Sequence, residues 1–210
     1  MTSHTGHCLC RHLCRGGRTG TLSQPLPLVG RSRYDADMAA IDRYRDLRAR
    51  VDRLADDLTE LHRTRLVCRP GCAGCCINLT VFPVEYAAIL QDLRAACTKP
   101  LRLDPRAPCA FLQDNLCQIY QYRPIICRTH GLPIAFTHSN LAEPEISVSF
   151  CPLNFASLDF DEYVFGPQNT LDLDAVNAEL AQINAQHEPG HADGPPRRIA
   201  LTRLADDLLK

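Results

Sequence analysis

Apolar residues recur every three or four positions near the start of the chain, and this spacing predicts an amphipathic helix. The helix opens at Met38 and runs through MAAIDRYRDLRARVDRLADDLTELHR, residues 38–63. Its apolar positions form a seam of nearly three heptads along one face: Tyr44, Leu47, Val51, Leu54, Leu58 and Leu61. Such a seam packs against the helix's own domain or, alternatively, forms a homodimer or binds a protein partner through helix 41–66.

The segment before this helix has a different composition. Residues 1–37 carry several glycines and prolines and little apolar periodicity, so we expect a disordered N-terminal tail. The change is abrupt enough to suggest that translation naturally starts at Met38. We expect residues 38–186 to form one domain with a leading and a trailing helix. Residues 187–210 are predicted to be a linker and a short C-terminal helix.

Shorter patterns complete the predicted architecture. They indicate a strand in INLTVF, a helix from Pro83 to about Cys97, a hairpin with its turn at Asp114-Asn115, a short helix from Pro124 to Gly131, a second hairpin around Ser139-Asn140, and a helix capped by Asp172. The predicted fold class is therefore α+β, mostly helical: a small metal-stapled cysteine-cluster domain with flanking helices.

Composition narrows the possible partners and the compartment. The chain has 210 residues, 45% of them hydrophobic, and a formal net charge of −1. One domain can bury a core at this size, and so small a charge argues against nucleic acid or a membrane as partner. Neither a signal peptide nor a membrane span is predicted, so we expect a cytoplasmic protein whose cysteines stay reduced.

Eight of the twelve cysteines form one arrangement, which begins with the tight quartet CRPGCAGCC: Cys68, Cys72, Cys75, Cys76, Cys109, Cys117, Cys127 and Cys151. Thiolates are soft ligands that suit zinc and iron–sulfur centres. Spacings of two and three residues let Cys68, Cys72 and Cys75 share one centre. Cys76 then ligates a second centre, bridges two metals, or stays a free thiol.

Several occupancies fit eight thiols. Two four-cysteine zinc sites use all of them, whereas one [4Fe-4S] cluster uses four and leaves four for zinc or redox work. Unligated thiols or disulfides are the remaining alternative. Cys97 is interpreted as a small buried apolar residue, and the tail cysteines Cys8, Cys10 and Cys14 as adventitious.

Three basic residues flank Cys127. Two interpretations apply to Arg123, Arg128 and His130. In the first, they hydrogen-bond thiolate sulfurs or hold an anion. In the second, they make local ion pairs and interact with the end of a helix.

The strings CRPGCAGCC, PCAFLQDNLCQIYQYRPIICR and FCPLN together resemble the YkgJ-type cysteine-cluster proteins, whose shared domain is of the CxxCxxCC zinc- or iron-chelating type. The resemblance runs from Cys68 to Leu153. It departs from the family shorthand in its first spacing, which is three residues rather than two. It implies that all eight of these cysteines are metal ligands and that the cofactor is zinc or iron.

Three classes of function stay open. The first is a metal-binding protein that holds zinc or an iron–sulfur centre. The second is an iron–sulfur enzyme of protein-modifying or oxidoreductase type, and the third is a zinc-stabilised interaction module. A radical SAM enzyme is disfavoured, because Gly74 stands where that motif has an aromatic residue and no βα alternation follows.

Overall fold

The computed structural model describes residues 32–96, 100–138, 145–159, 163–189 and 195–210. These residues form five α-helices and three small sheets, so the predicted α+β class is confirmed. The metal stapling and the division of the chain at residues 37 and 186 stay predictions. Several predicted features lie outside the described residues: the tail up to residue 31 with its cysteines, Cys97, and the turn at Ser139-Asn140.

The first helix begins earlier than the apolar seam predicts. Helix α1 runs Arg33–Leu61, so the predicted start at Met38 is wrong, and the predicted ends at residue 63 and, for the partner helix, at residue 66 lie beyond the observed one. It starts at Arg33 because Ser32 caps it: the Asp35 N–H donates to Ser32 Oγ, and the Asp35 carboxylate accepts from the Ser32 N–H.

The seam on α1 packs mainly inside the domain. Tyr44, Leu47 and Val51 are almost completely buried, as is most of Leu58. They face the helices that follow, since α1 packs against α2, α3 and α4. Leu54 and Leu61 keep 48% and 54% of their surface exposed. A partner helix would therefore meet a discontinuous seam rather than three full heptads.

A short strand leads directly into the second helix. Strand β1 is Thr80–Val81 and helix α2 is Pro83–Ala95, with Pro83 in its first turn as predicted. Glu85 in that turn is buried and serves two helices. Its carboxylate accepts the Phe82 N–H at 3.2 Å and the Ile125 N–H, at the start of α3, at 3.3 Å. One side chain thus fixes α2 relative to α3.

The predicted hairpin and short helix lie between these elements. Strands β2 (Leu112–Gln113) and β3 (Leu116–Cys117) pair antiparallel. Asp114 and Asn115 form the turn with φ of 51° and 59°, the left-handed conformation that a type I′ turn requires at both positions. A 3-10 turn (Tyr120–Tyr122) and helix α3 (Ile125–Thr129) follow, and Gly131 lies beyond with φ +88°.

The remaining elements close the domain. Strands β4 (Ile134–His138) and β5 (Glu145–Ser149) pair antiparallel, and β6 (Leu171–Asp172) joins β4 in parallel. Helix α4 (Leu173–His187) begins with Asp172 as its cap, as predicted. The terminal segment is only partly helical, because β7 (Ile199–Ala200) pairs with β1 before a 3-10 turn and α5 (Leu204–Asp207).

Two apolar clusters support this frame. The first cluster lies between α1, α2 and α4. The other cluster, which we call the second core, joins the opposite face of α2 to the β2–β3 hairpin and α5. Cys109 and Cys117 pack against the second core. No helix in the described ranges has both the length and the apolar character that a membrane span needs.

Replacing Glu85 with alanine should lower the free energy of unfolding by about 2 kcal/mol, because the backbone N–H groups of Phe82 and Ile125, part-buried and buried respectively, lose their acceptor. Burial raises the pKa of Glu85. Ionising its carboxyl group therefore costs stability, and this cost grows as the pH rises above the usual glutamate range. Urea denaturation of the metal-free chain measures both effects.

The matched control is Glu60→Ala, since Glu60 forms an exposed pair with Arg63 that contributes little. An equal loss of unfolding free energy in Glu85→Ala and Glu60→Ala would show that Glu85 does not stabilise the contact between α2 and α3.

Candidate metal centre

The cysteine quartet lies on two successive turns after α1. The Cys72 N–H donates to the Arg69 carbonyl at 2.9 Å, and the Cys76 N–H donates to the Ala73 carbonyl at 3.0 Å. Gly71 occupies the third position of the first turn with φ +89°, as a type II turn requires. These turns fold four thiols into a short length of chain.

The thiols fall into two groups, and the first contains three members of the quartet. The first thiol group is Cys68, Cys72, Cys75 and Cys151. Burial raises the pKa of Cys75, and the charges of the other three thiolates raise it further. Cys68 and Cys72 are exposed, whereas Cys75 and Cys151 are half-buried. This group therefore opens towards solvent.

Asn154 joins the two chain segments that carry the first thiol group and also holds the segment at Gly131 beside them. Its side chain is 1% exposed, and its Oδ1 accepts the Val67 N–H at 2.9 Å. Its Nδ2 donates to the Gly131 carbonyl at 2.6 Å and lies 3.5 Å from the Cys68 sulfur. Its own N–H donates to the Cys151 carbonyl at 2.8 Å. Asn154 thus fixes the backbone next to two of the four thiols.

The second thiol group contains the last member of the quartet. It is Cys76, Cys109, Cys117 and Cys127. Cys117 lies on β3 and Cys127 on α3, and with Cys109 they line a small cavity that is otherwise mostly apolar. All four are half-buried. This group is therefore more enclosed than the first.

Asn78 holds the chain after Cys76 against the segment that carries Cys109. Its N–H donates to the Pro108 carbonyl at 3.1 Å, and its Oδ1 accepts the Ala110 N–H at 2.9 Å. These two bonds bracket Cys109 in sequence. They bring Cys76 towards the second thiol group although its neighbour Cys75 belongs to the first.

Burial controls the protonation of the enclosed thiols. It raises the pKa of Cys76 to about 11 and that of Cys127 to about 12, and neighbouring thiolates add to both shifts. The pKa of Cys117 is raised for the same reasons. At neutral pH these thiols are protonated in the metal-free chain, so a metal ion that binds them must displace protons.

The donor set fits zinc or an iron–sulfur cluster in type and number. Each group offers four thiols, as tetrahedral zinc and cubane clusters use. The eight cysteines that the structure describes are all free thiols. Within the described ranges, no three side chains of His, Cys, Asp or Glu stand in an arrangement that holds a metal ion directly. The backbone therefore brings the thiols of each group near one another, but among the described residues the sulfur atoms of a group do not surround one metal position.

The basic residues beside Cys127 have separate environments. Arg128 is buried, pairs with Asp52 on α1, and donates to two backbone carbonyls. Of the two predicted alternatives, these contacts correspond to local ion pairing. His130 is hydrogen-bonded to the backbone of Cys75, and burial lowers its pKa. Arg123 lines the cavity of the second thiol group.

Sequence reasoning missed the two asparagines that organise these groups. Asn78 follows the quartet by two residues, and Asn154 follows Cys151 by three. An asparagine this close to a ligand-rich segment is the available signal, because its amide can both donate to and accept from neighbouring backbone. The partners of these two side-chain amides lie 23 to 87 residues away in the chain, so no local pattern reveals them.

A chain that gathers eight free thiols on loops, a hairpin strand and a short helix around a helical frame has the features of a cysteine-cluster protein. Residues 67–151 match the family model described as "CxxCxxCC: Putative zinc- or iron-chelating domain". This match confirms the cysteine-cluster family predicted from the sequence, and it supports metal binding by that segment. No curated protein and no solved structure matches the chain.

Gly131→Ala should disturb the first thiol group. A Cβ at Gly131 would lie 3.1 Å from the Cys68 sulfur, and φ +88° is unfavourable for alanine by about 1–2 kcal/mol. We expect lower stability of the metal-free chain and, in addition, a lower metal content after reconstitution with zinc.

Two control glycines separate these effects. Gly71 has the same positive φ but open space around it, whereas Gly74 has open space and no positive φ. Gly71→Ala should therefore lower the stability of the metal-free chain without lowering its zinc content. Gly74→Ala should match the wild type in both stability and zinc content. If Gly131→Ala bound as much zinc as Gly71→Ala, the contact with Cys68 would be unimportant.

Proposed function

We propose that this chain is a metal-binding protein that holds zinc or iron in two four-thiolate centres. The first centre would use the first thiol group: Cys68, Cys72, Cys75 and Cys151. The second would use the second thiol group: Cys76, Cys109, Cys117 and Cys127. The cofactor is two zinc ions or, where iron is bound, an iron–sulfur centre such as a [4Fe-4S] cluster.

One observation carries this proposal. The charges of Cys68, Cys72 and Cys151 act on Cys75, whereas those of Cys109 and Cys117 act on Cys76. Cys75 and Cys76 also contact each other through a side-chain hydrogen bond, so they lie where the two groups meet. Serving two centres uses both thiols and leaves each group with four donors.

The two centres would differ in access to solvent. The exposure of Cys68 and Cys72 favours exchange of metal or electrons at the first centre. The second thiol group adjoins the second core, so metal there would join the hairpin, α3 and the quartet and add its binding energy to folding. When bound, zinc supplies charge and geometry, and an iron–sulfur centre supplies one-electron chemistry.

The donor chemistry also bears on the compartment. Thiols that bind metal must remain reduced, and the described ones are free. A cytoplasmic setting, where thiols are kept reduced, is part of the proposal.

Anaerobic purification followed by metal analysis and a visible spectrum tests the proposal directly. We expect either two zinc ions per chain and no colour, or iron with sulfide and a brown protein that absorbs in the iron–sulfur charge-transfer region. Well-folded protein that contains no metal would overturn the proposal.

Cysteine variants test the ligand set. Cys109→Ser and Cys117→Ser should each remove about half of the bound metal and lower the thermal midpoint, because a lost ligand removes binding energy that supports the fold. Cys97→Ser is the control, since Cys97 is not a proposed ligand. Equal metal contents and midpoints for all three variants would contradict the assignment.

A further inference from the structure

The two arginines beside Cys127 differ in how their donors are used. The Arg128 guanidinium donates to the Asp52 carboxylate and to the carbonyls of Arg123 and Gln121, the latter at 2.6 Å. Its charge is therefore neutralised by α1, and its remaining donors hold the backbone before α3. Among the described residues that line the cavity of the second thiol group, Arg123 is the one that carries a positive charge.

Arg123 occupies the wall of the thiol cavity. It lines that space together with Cys109, Cys117 and Cys127. Its guanidinium lies 3.8 Å from the centre of the Tyr120 ring, a cation–π contact that restrains the group. Within the described part of the chain, its buried Nε has no hydrogen-bond partner.

A buried donor without a partner is unfavourable, because it has lost its hydrogen bonds to water and gained none in exchange. Its presence beside three thiols indicates that an acceptor belongs there. A thiolate sulfur is such an acceptor, and metal binding is the event that converts these thiols to thiolates.

Charge gives a second reason. Four thiolates around Zn²⁺, or around a [4Fe-4S]²⁺ cluster, leave a net charge of −2 in an enclosed site. Burying such charge is unfavourable unless a cation or hydrogen-bond donors compensate it. Arginine suits this task because it stays charged and its planar group stacks on an aromatic ring.

We propose that Arg123 is a positioning residue for the second centre: its guanidinium compensates the charge of the metal-bound thiolates, and its Nε–H donates to one of their sulfurs. This inference rests on the proposed function, since it assumes that the second thiol group binds metal. It predicts that Arg123 governs metal retention at the second centre and has no comparable effect at the first.

The experiment measures zinc release from each centre separately. Full-length protein is reconstituted with zinc in two backgrounds: Cys151→Ser, which leaves the second centre, and Cys109→Ser, which leaves the first. Arg123→Gln, Arg123→Lys and the control Arg106→Gln are placed in each background. The rate of zinc transfer to a chromophoric chelator is then recorded. Arg106 is exposed, so its variant controls for loss of one positive charge.

We expect Arg123→Gln to accelerate release from the second centre by about 10-fold or more, as loss of a partner outside the ligand shell commonly does. Arg123→Lys should give a smaller acceleration, because it keeps the charge and loses the planar donor. Arg106→Gln should change neither centre. In the Cys109→Ser background, Arg123→Gln should leave the release rate within about twofold.

Tyr120→Leu provides a second variant that leaves Arg123 in place. Tyr120 is 59% exposed, so its loss should not unfold the chain, and release from the second centre should be several times faster. Unchanged release in both Arg123→Gln and Tyr120→Leu would overturn the inference. Equal acceleration at both centres would overturn it too, because it would indicate general destabilisation. If the parent backgrounds bind no zinc, the proposed function itself fails.

Discussion

The arrangement of thiols depends on one covalent constraint, the adjacency of Cys75 and Cys76. Cys75 is influenced by Cys68, Cys72 and Cys151, whereas Cys76 is influenced by Cys109 and Cys117 of the segment that leads into and forms the hairpin. Their two thiols also contact each other, so the proposed centres would meet at this pair.

The helical frame limits where the two groups can lie. Glu85 bonds the starts of α2 and α3, and Arg128 ties α3 to α1 through Asp52, so Cys127 is carried on a fixed element. Asn154 and Asn78 then attach the loops that carry the other thiols. The frame is held by apolar burial and ordinary hydrogen bonds. Six of the eight thiols lie on loops around it, whereas Cys117 lies on β3 and Cys127 on α3.

Much of the fold could be predicted from local patterns. The Asp114-Asn115 turn, Pro83 at the start of α2 and the Asp172 cap are each encoded within a few residues and were predicted correctly. The apolar seam predicts that α1 starts at Met38. This is too late, because the capping box at Ser32 lets the helix begin at Arg33. The family and the candidate cysteines followed from sequence as well. The sequence also offers the separation of Cys76 from the rest of the quartet as one alternative. It does not assign the four later cysteines to the two groups, because that depends on contacts between distant segments, such as Asn154 with Val67.

The proposed division is tested most directly by the metal content of double cysteine variants. Cys75→Ser combined with Cys151→Ser removes two proposed ligands from the same centre, so about half of the wild-type metal should remain. Cys75→Ser combined with Cys109→Ser removes one ligand from each centre, so almost no metal should remain. Equal metal contents in the two double variants would contradict two separate four-thiolate centres.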